Sequence, residues 1–183
     1  MALETAEAPA RVADMLAANR GAMAAISKRL RAQPPRLLMT CARGSSDHAA
    51  TYLQYLSLIK LGLPAASLPP SIASVYAADV DLTDVLFVVI SQSGQSPDLV
   101  AGARWAAQHG ARVVALVNVA DSPVAAAAHE VLPLMAGPEL SVAATKSYLT
   151  ALASSAQLIA GMSGDAALSR AVDHLPDVLA QAA

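Results

Sequence analysis

Two short polar stretches of the chain have the residue types that bind phosphate groups. In the first, the apolar run Val85–Ile90 is followed by Ser91–Ser96 (SQSGQS), and Pro97 then opens an alanine-rich segment. A helix that begins at Pro97 leaves unpaired N–H groups facing this polar loop, and its dipole favours an anion there. The three serine hydroxyls can donate further hydrogen bonds, and Gly94 allows the backbone to approach a ligand closely. The pattern predicts a phosphate-binding loop without a lysine; a tight turn before a capped helix is the alternative.

A second stretch repeats this pattern nearer the N-terminus. The run Arg36–Cys41 is followed by Ala42–Ser46 (ARGSS), and Asp47–Leu61 has the apolar spacing of a helix. Because the carboxyl ends of parallel strands meet at one edge of a sheet, we expect both hydroxyl-bearing loops at that edge, which favours an anion site. The sequence contains neither G-x-G-x-x-G nor G-x-x-x-x-G-K-[ST], so dinucleotide and P-loop nucleotide binding are not expected.

Alternating strand and helix patterns predict an α/β fold. Strands are predicted at Arg36–Cys41, Ala65–Leu68, Val85–Ile90, Arg112–Val119 and Val131–Leu134. Helices are predicted at Pro9–Arg31, Asp47–Leu61, Pro97–His109, Pro123–His129 and from Ser141 to about Met162, with a final helix after Asp165 and Pro176 near a kink. Such alternation predicts a doubly wound, five-stranded parallel sheet. We expect an N-terminal helical segment (1–35), the α/β domain (36–163) and a C-terminal linker helix (164–183).

The composition excludes several classes of function. The chain has 183 residues, of which 55% are hydrophobic and 14% charged, with a net charge of −2. No basic field attracts nucleic acid, and no apolar run approaches the roughly 20 residues of a membrane span. The N-terminus lacks a basic-then-apolar signal pattern, and the single cysteine, Cys41, gives neither a disulfide nor metal-ligand spacing. We therefore expect a cytoplasmic protein without a metal or cofactor, and we interpret Cys41 as a buried structural residue.

Three further side chains are weak candidates for catalysis. Glu139 lies in the predicted loop Met135–Leu140, and Lys146 lies in the first turns of the helix that follows it. His48 lies in the first turn of the helix after the first polar loop. Packing or capping is the alternative for His48. A cation in the first turn of a helix is unfavourable, so Lys146 is expected to have a partner such as Glu139 or a ligand anion. Asp98 is interpreted as a charge that stabilises the start of its helix.

Four blocks of the sequence together resemble the SIS (sugar isomerase) domain family. The blocks are Arg43–Ala49 (RGSSDHA), Ser91–Ser96 (SQSGQS), Asn118–Pro123 and Gly137–Lys146 (GPELSVAATK), in that order. They are similar to the first SIS domain in the isomerase half of glucosamine-6-phosphate synthases. The resemblance covers the chain from about residue 36 onward and implies a flavodoxin-like SIS fold.

The resemblance implies a site for fructose 6-phosphate or glucosamine 6-phosphate. The residues that it places on the phosphate are Ser46, Ser91, Gln92, Ser93 and Ser96, and those that it places in the substrate loops are Gly44, Ser45, Gly94 and Val142. Hydroxyl and N–H donors at two helix ends suit a dianion without a metal, which agrees with the interpretation of the residues themselves.

Some residues depart from the family pattern. Ser96 stands where the synthases have Thr, which keeps the hydroxyl, and Gln95 stands for Glu, which removes a negative charge near the phosphate. Ala144 stands for Ser, so one sugar contact is lost. The 183 residues contain no stretch that resembles a glutaminase domain with its nucleophilic N-terminal cysteine. We therefore expect an amino-sugar-phosphate deaminase or isomerase, which the resemblance also implies, rather than glutamine-dependent amino transfer.

Our first functional hypothesis is the phosphosugar-binding half of an aldose–ketose isomerase or deaminase, with proton transfer between C1 and C2 of the opened sugar. In the family, the catalytic Glu, Lys and His come from the second SIS domain and the C-terminal tail, so we expect this chain to bind sugar phosphate but to turn it over poorly. A sugar-phosphate sensor module and an inactive fragment are the alternatives. The alanine-rich composition also favours a homodimer.

Overall fold

Five parallel strands form the centre of the molecule. The computed structural model describes residues 2–140 and 144–182. The strands are β1 (Leu37–Ala42), β2 (Ala65–Ser67), β3 (Val85–Ser91), β4 (Arg112–Val117) and β5 (Glu130–Pro133). All neighbours pair in parallel, in the order β2-β1-β3-β4-β5. The predicted α/β class, strand number and parallel sheet are confirmed.

The helices cover both faces of this sheet. They are α1 (Ala2–Ala32), α2 (Ser45–Leu56, continued by a π-helical turn, Ser57–Leu61), α3 (Pro70–Ser74), α4 (Pro97–Gln108), α5 (Pro123–Ala126), α6 (Lys146–Ser163), α7 (Ala166–Asp173) and α8 (Leu175–Ala182). Helices α1, α2 and α6 contribute to the core on one face, whereas α3, α4 and α5 pack on the other. The sheet is therefore the middle of three layers.

The central strand β3 shows why the sheet is buried on both sides. Leu86, Val88 and Ile90 pack in the α1/α2/α6 core, and Phe87 and Val89 pack in the opposite core. Every residue of the strand is buried, as its continuous apolar run predicts. Burial of one such side chain contributes roughly 1.5–3 kcal/mol, so this strand is a major source of the stability of both layers.

The helix ends differ from the predictions for identifiable reasons. Helix α1 begins at Ala2 rather than at Pro9, because its first turns pack their Glu4 and Ala8 side chains against the rest of the molecule. Helix α6 begins at Lys146, five residues later than predicted. The predicted single terminal helix is two helices that meet beside Pro176, since proline lacks the N–H group that would continue the hydrogen-bond ladder.

The strand order brings the two polar loops together. Strand β1 pairs with β3, and Ala42 lies opposite Ile90 in their register. The chain runs outward from β1 to β2 on one side and from β3 to β4 and β5 on the other, so the order reverses between β1 and β3. Ligands of open α/β sheets bind at the carboxyl edge beside such a reversal.

Across the residues that the structure describes, no helix combines the length and apolar character that crossing a membrane requires.

Candidate functional site

A pocket of about 280 Å³ opens at the carboxyl edge of β1 and β3. Its described wall consists of Arg43, Ser45, Ser46, Ile90, Ser91, Gln92, Ser93, Ser96, Leu99, Glu139, Ala144, Ser147 and Tyr148. Parts of the chain that are far apart in the sequence therefore meet here: the β1–α2 loop, the β3–α4 loop, Glu139 and the start of α6. The two loops supply hydroxyl and amide groups, and Glu139 supplies a carboxylate.

The β1–α2 loop presents the start of α2 to the pocket. Gly44 precedes the helix with a φ of 58°, a left-handed conformation that favours glycine. Gly44 has no side chain that could cap this helix end. Ser45 and Ser46, the first two residues of the helix, belong to the pocket wall. A helix start of this kind attracts an anion through its N–H groups and its dipole.

Cys41 lies behind this loop and takes no part in the pocket. Its side chain is fully buried, which confirms the interpretation as a structural residue. Burial, aided by the charges of Asp98 and Asp47, raises the pKa of the Cys41 thiol to about 12, so the thiol stays protonated at neutral pH.

The β3–α4 loop is shaped by its own serines. Ser91 Oγ accepts a hydrogen bond from Gly94 N at 3.0 Å, and Ser93 Oγ accepts one from Gln95 N at 3.3 Å. Ser96 occupies the N-cap position of α4, as predicted, yet its side chain makes no capping hydrogen bond. Ser96 lines the pocket instead. In the first turn of α4, Asp98 Oδ1 accepts a hydrogen bond from Leu99 N at 2.9 Å, as expected for a charge that stabilises the helix start.

Gly94 is required by the packing behind the loop. Its φ is +63°, and a Cβ atom at this position would overlap the side chain of Ser122. Its carbonyl oxygen accepts a hydrogen bond from Val124 N at 3.0 Å, which ties the loop to the start of α5. Gly94 is therefore a buried support of the loop rather than part of the pocket wall.

Glu139 is the carboxylate at the pocket wall, and its main contacts are with the start of α6. It accepts hydrogen bonds from Thr145 N at 2.9 Å, from Ser147 N at 3.2 Å and from the Ser147 hydroxyl. Burial works to raise the pKa of Glu139, but these hydrogen bonds, led by that from the Ser147 hydroxyl, outweigh it and lower the pKa below its ordinary value. Glu139 is thus an anion at neutral pH that caps α6 from a distance in sequence.

Arg43 is the one cationic residue of the described pocket wall. Its guanidinium pairs with the carboxylate of Asp98, which belongs to the first turn of α4. The Arg43 side chain is 63% exposed and that of Asp98 is 20% exposed. Arg43 belongs to the described pocket wall, whereas Asp98 does not. This ion pair joins the β1–α2 loop to the start of α4. Asp98 therefore has a second role besides stabilising the start of its own helix.

The structure does not bring all the predicted site residues to the pocket. His48 is exposed on α2 and is not part of the described wall. Lys146 is buried, and its Nζ pairs with Glu7 Oε2 at 2.6 Å. Its partner is therefore Glu7 rather than the expected Glu139 or a ligand anion, and Lys146 is not part of the described pocket wall. Val142 lies outside the described residues.

Apart from Ala144, which the sequence analysis named only as a departure from the family pattern, five wall residues were not predicted from the sequence: Arg43, Ile90, Leu99, Ser147 and Tyr148. Arg43 had a visible signal, since a charged residue that directly follows an apolar strand stands at the functional edge of a parallel sheet. Ser147 and Tyr148 had none, because their approach to the β3 loop depends on how α6 packs.

In the described part of the chain, no group of three His, Cys, Asp or Glu side chains is arranged to hold a metal ion. The chemistry that the pocket offers is the binding of an anion by hydroxyl and N–H donors, with one carboxylate nearby.

Comparison with known proteins assigns this arrangement to a family. The family model for the SIS domain matches residues 33–161, so the chain belongs to the SIS domain family. A glutamine–fructose-6-phosphate aminotransferase (isomerizing) from Symbiobacterium thermophilum is 38% identical over 157 residues, which are 80% of this chain and 25% of that protein.

Solved structures support the same assignment. The crystal structure of a candidate phosphosugar isomerase from Silicibacter pomeroyi superposes with a TM-score of 0.96 at 45% identity, covering 98% of this chain and 55% of that one. The C-terminal domain of a glucosamine-fructose-6-phosphate aminotransferase from Francisella tularensis shares the fold, with a TM-score of 0.78 at 21% identity, over 97% of this chain and 52% of that one. The chain thus spans about half the length of these structures and a quarter of the aminotransferase sequence.

The close packing behind the β3–α4 loop generates the first prediction. Gly94→Ala should lower the free energy of unfolding by about 2–4 kcal/mol, because the added methyl group overlaps Ser122 and the residue must keep a positive φ. Urea denaturation measures this change. Gly21→Ala is the control, since a Cβ atom there meets no heavy atom within 4 Å, and it should stabilise helix α1 by about 0.5–1 kcal/mol. Equal stabilities of the two variants would contradict the prediction.

Proposed function

We propose that the pocket binds a phosphorylated sugar, with the phosphate held between the β1–α2 and β3–α4 loops. The observation that carries the proposal is that the starts of α2 and α4 lie at one pocket lined by serine residues, and that neither helix has a side-chain capping hydrogen bond from its N-cap residue. N–H and hydroxyl donors converging from two helices suit a phosphate dianion. Fructose 6-phosphate and glucosamine 6-phosphate are the proposed ligands, in view of the names of the relatives.

The serines and the neighbouring amide have separate roles in this proposal. Ser46, Ser93 and Ser96 donate hydroxyl hydrogen bonds to the phosphate, and Gln92 contributes from the same loop. Ser91 supports the loop through Gly94 N and keeps its own proton available to the ligand. The glycines and Ser45 shape the loops, and the resemblance places Val142 beside the sugar.

Arg43 adds a cation to this proposed phosphate site. In the structure its charge is balanced by Asp98, and that carboxylate would otherwise repel the phosphate. The ion pair thus allows Asp98 to remain at the start of α4 while the two charges balance each other. A phosphate that binds beside Arg43 while the ion pair with Asp98 stays intact gains a charged hydrogen-bond donor.

We further propose that the chain contributes the binding half of an aldose–ketose isomerase or amino-sugar-phosphate deaminase. Proton transfer between C1 and C2 needs a base and an acid within hydrogen-bond reach of the substrate. Along the described pocket wall, Glu139 is the one carboxylate, and its low pKa suits a base but not an acid. The remaining groups would come from a second SIS domain or a partner chain. The shortage of acid and base groups equally favours the alternative of a sugar-phosphate sensor.

The proposed partner in assembly is a second copy of the chain. The outward face of α2 carries Tyr52, Tyr55, Leu58 and Ile59, all exposed. His48 lies on the same helical face, one turn before Tyr52, and would join this contact rather than the sugar site. A dimer would remove these large apolar side chains from water. A cytoplasmic location is proposed as well, in keeping with the single, buried and unpaired cysteine.

Phosphate recognition is tested by calorimetry. The chain should bind glucosamine 6-phosphate and bind glucosamine far more weakly, because the donors at the two loops act on the phosphate. Ser93→Ala should make the binding free energy of glucosamine 6-phosphate less favourable by roughly 1.5–3 kcal/mol, which is the contribution of a hydrogen bond to a charged group. Ser169→Ala removes a hydroxyl that bonds only within α7 and its cap, and should bind like the wild type. Equal affinities for the sugar and its phosphate would refute the proposal.

Self-association is tested by light scattering. At tens of micromolar the chain should have twice its monomer mass, and Tyr55→Lys should give monomers, because a charge in the centre of the α2 face cannot be buried without a partner. Lys28→Ala, at an exposed position of α1, is the control and should leave the dimer intact. A wild-type chain of monomer mass would show that this proposal is wrong.

A further inference from the structure

The first turns of α1 contact the segment that carries Glu139. Glu4 Oε1 accepts a hydrogen bond from Leu140 N at 2.6 Å, and Glu7 Oε2 pairs with Lys146 Nζ at 2.6 Å. The two acidic residues are three positions apart, so they share one face of the helix. That face reaches both Leu140, which follows Glu139 directly, and Lys146, the first residue of α6.

The contact at Lys146 is a strong constraint because the ammonium group is buried. The Lys146 side chain is 4% exposed, whereas that of Glu7 is 46% exposed. A buried cation needs a partner, and the start of a helix is the end that a cation disfavours. The hydrogen bond and the charge of Lys146 lower the pKa of Glu7, so Glu7 is ionised at neutral pH and holds Lys146 in place.

The other end of the segment is fixed from the sheet. Asn118, which follows β4, accepts a hydrogen bond from Ala136 N and donates one to the carbonyl oxygen of Gly137, both at 2.8 Å. Glu139 thus lies between a support on β4 and a support on α1. Its carboxylate reaches the start of α6 and the pocket wall from this position.

We infer that Glu4 and Glu7 are positioning residues for the part of the pocket that receives the sugar. Neither residue belongs to the described pocket wall, and both act through the Glu139 segment and the start of α6. The phosphate donors, in contrast, lie on the loops after β1 and β3. Loosening the α1 contacts therefore affects the sugar and leaves the phosphate donors intact. This inference rests on the proposed binding of sugar phosphates.

The test compares two ligands that share a phosphate. Dissociation constants of inorganic phosphate and of glucosamine 6-phosphate are measured by calorimetry for the wild type and for Glu7→Gln. The variant keeps the shape of the side chain but removes the charge that holds Lys146. It should raise the dissociation constant of glucosamine 6-phosphate about tenfold, as expected when the support of a contact residue is lost. The dissociation constant of inorganic phosphate should stay within about twofold of the wild-type value.

Two further variants separate positioning from stability. Asp177→Asn removes an exposed carboxylate from α8, where it lies 3.6 Å from His174 Nδ1, and should bind both ligands like the wild type. The double variant Glu7→Gln, Lys146→Met removes both charges and so leaves no buried ammonium without a partner. If the single variant unfolds, the double variant provides a folded protein for the same measurement. We expect it to lose affinity for glucosamine 6-phosphate and to keep its affinity for inorganic phosphate.

The outcomes distinguish this inference from the proposed function. An equal loss for both ligands, or no loss for either, in a variant that folds would overturn the positioning role while sugar-phosphate binding stands. A wild-type chain that binds neither ligand would refute the proposed function, and the inference with it.

Discussion

The parallel pairing of β1 with β3 is the constraint on which the rest of the structure depends. It places the starts of α2 and α4 side by side at the point where the strand order reverses, and residues of both loops line one pocket. A parallel sheet of this kind needs apolar cover on both faces, and the two cores on either side of β3 supply it. The polar chemistry is thereby confined to the carboxyl edge, where the loops leave the sheet.

Much of the fold could be predicted because local patterns and tertiary packing agree. The run Val85–Ile90 is apolar at every position, and a strand in the middle of a three-layer fold requires that. Pro97 could be placed at the start of α4 from its type alone, since its missing N–H group is not needed there. The position of the neighbouring serines could be predicted because the carboxyl ends of parallel strands lie at one edge of a sheet.

The parts of the site that could not be predicted depend on contacts between distant residues. Glu7 and Lys146 are 139 positions apart, and only the packing of α1 against α6 brings them together. The sequence indicated that Lys146 needs a partner but could not identify it. The same holds for Glu139, whose role as a cap of α6 depends on hydrogen bonds to Thr145 and Ser147, six and eight positions further along the chain.

The central claim is that the serine loops hold the phosphate of a sugar phosphate, and a crystal structure of the chain with glucosamine 6-phosphate tests it most directly. The account predicts the phosphate oxygens within hydrogen-bond distance of the hydroxyls of Ser46, Ser93 and Ser96, with the sugar extending toward Glu139. A phosphate bound away from the starts of α2 and α4, or a sugar lying against the serines with its phosphate in solvent, would contradict it.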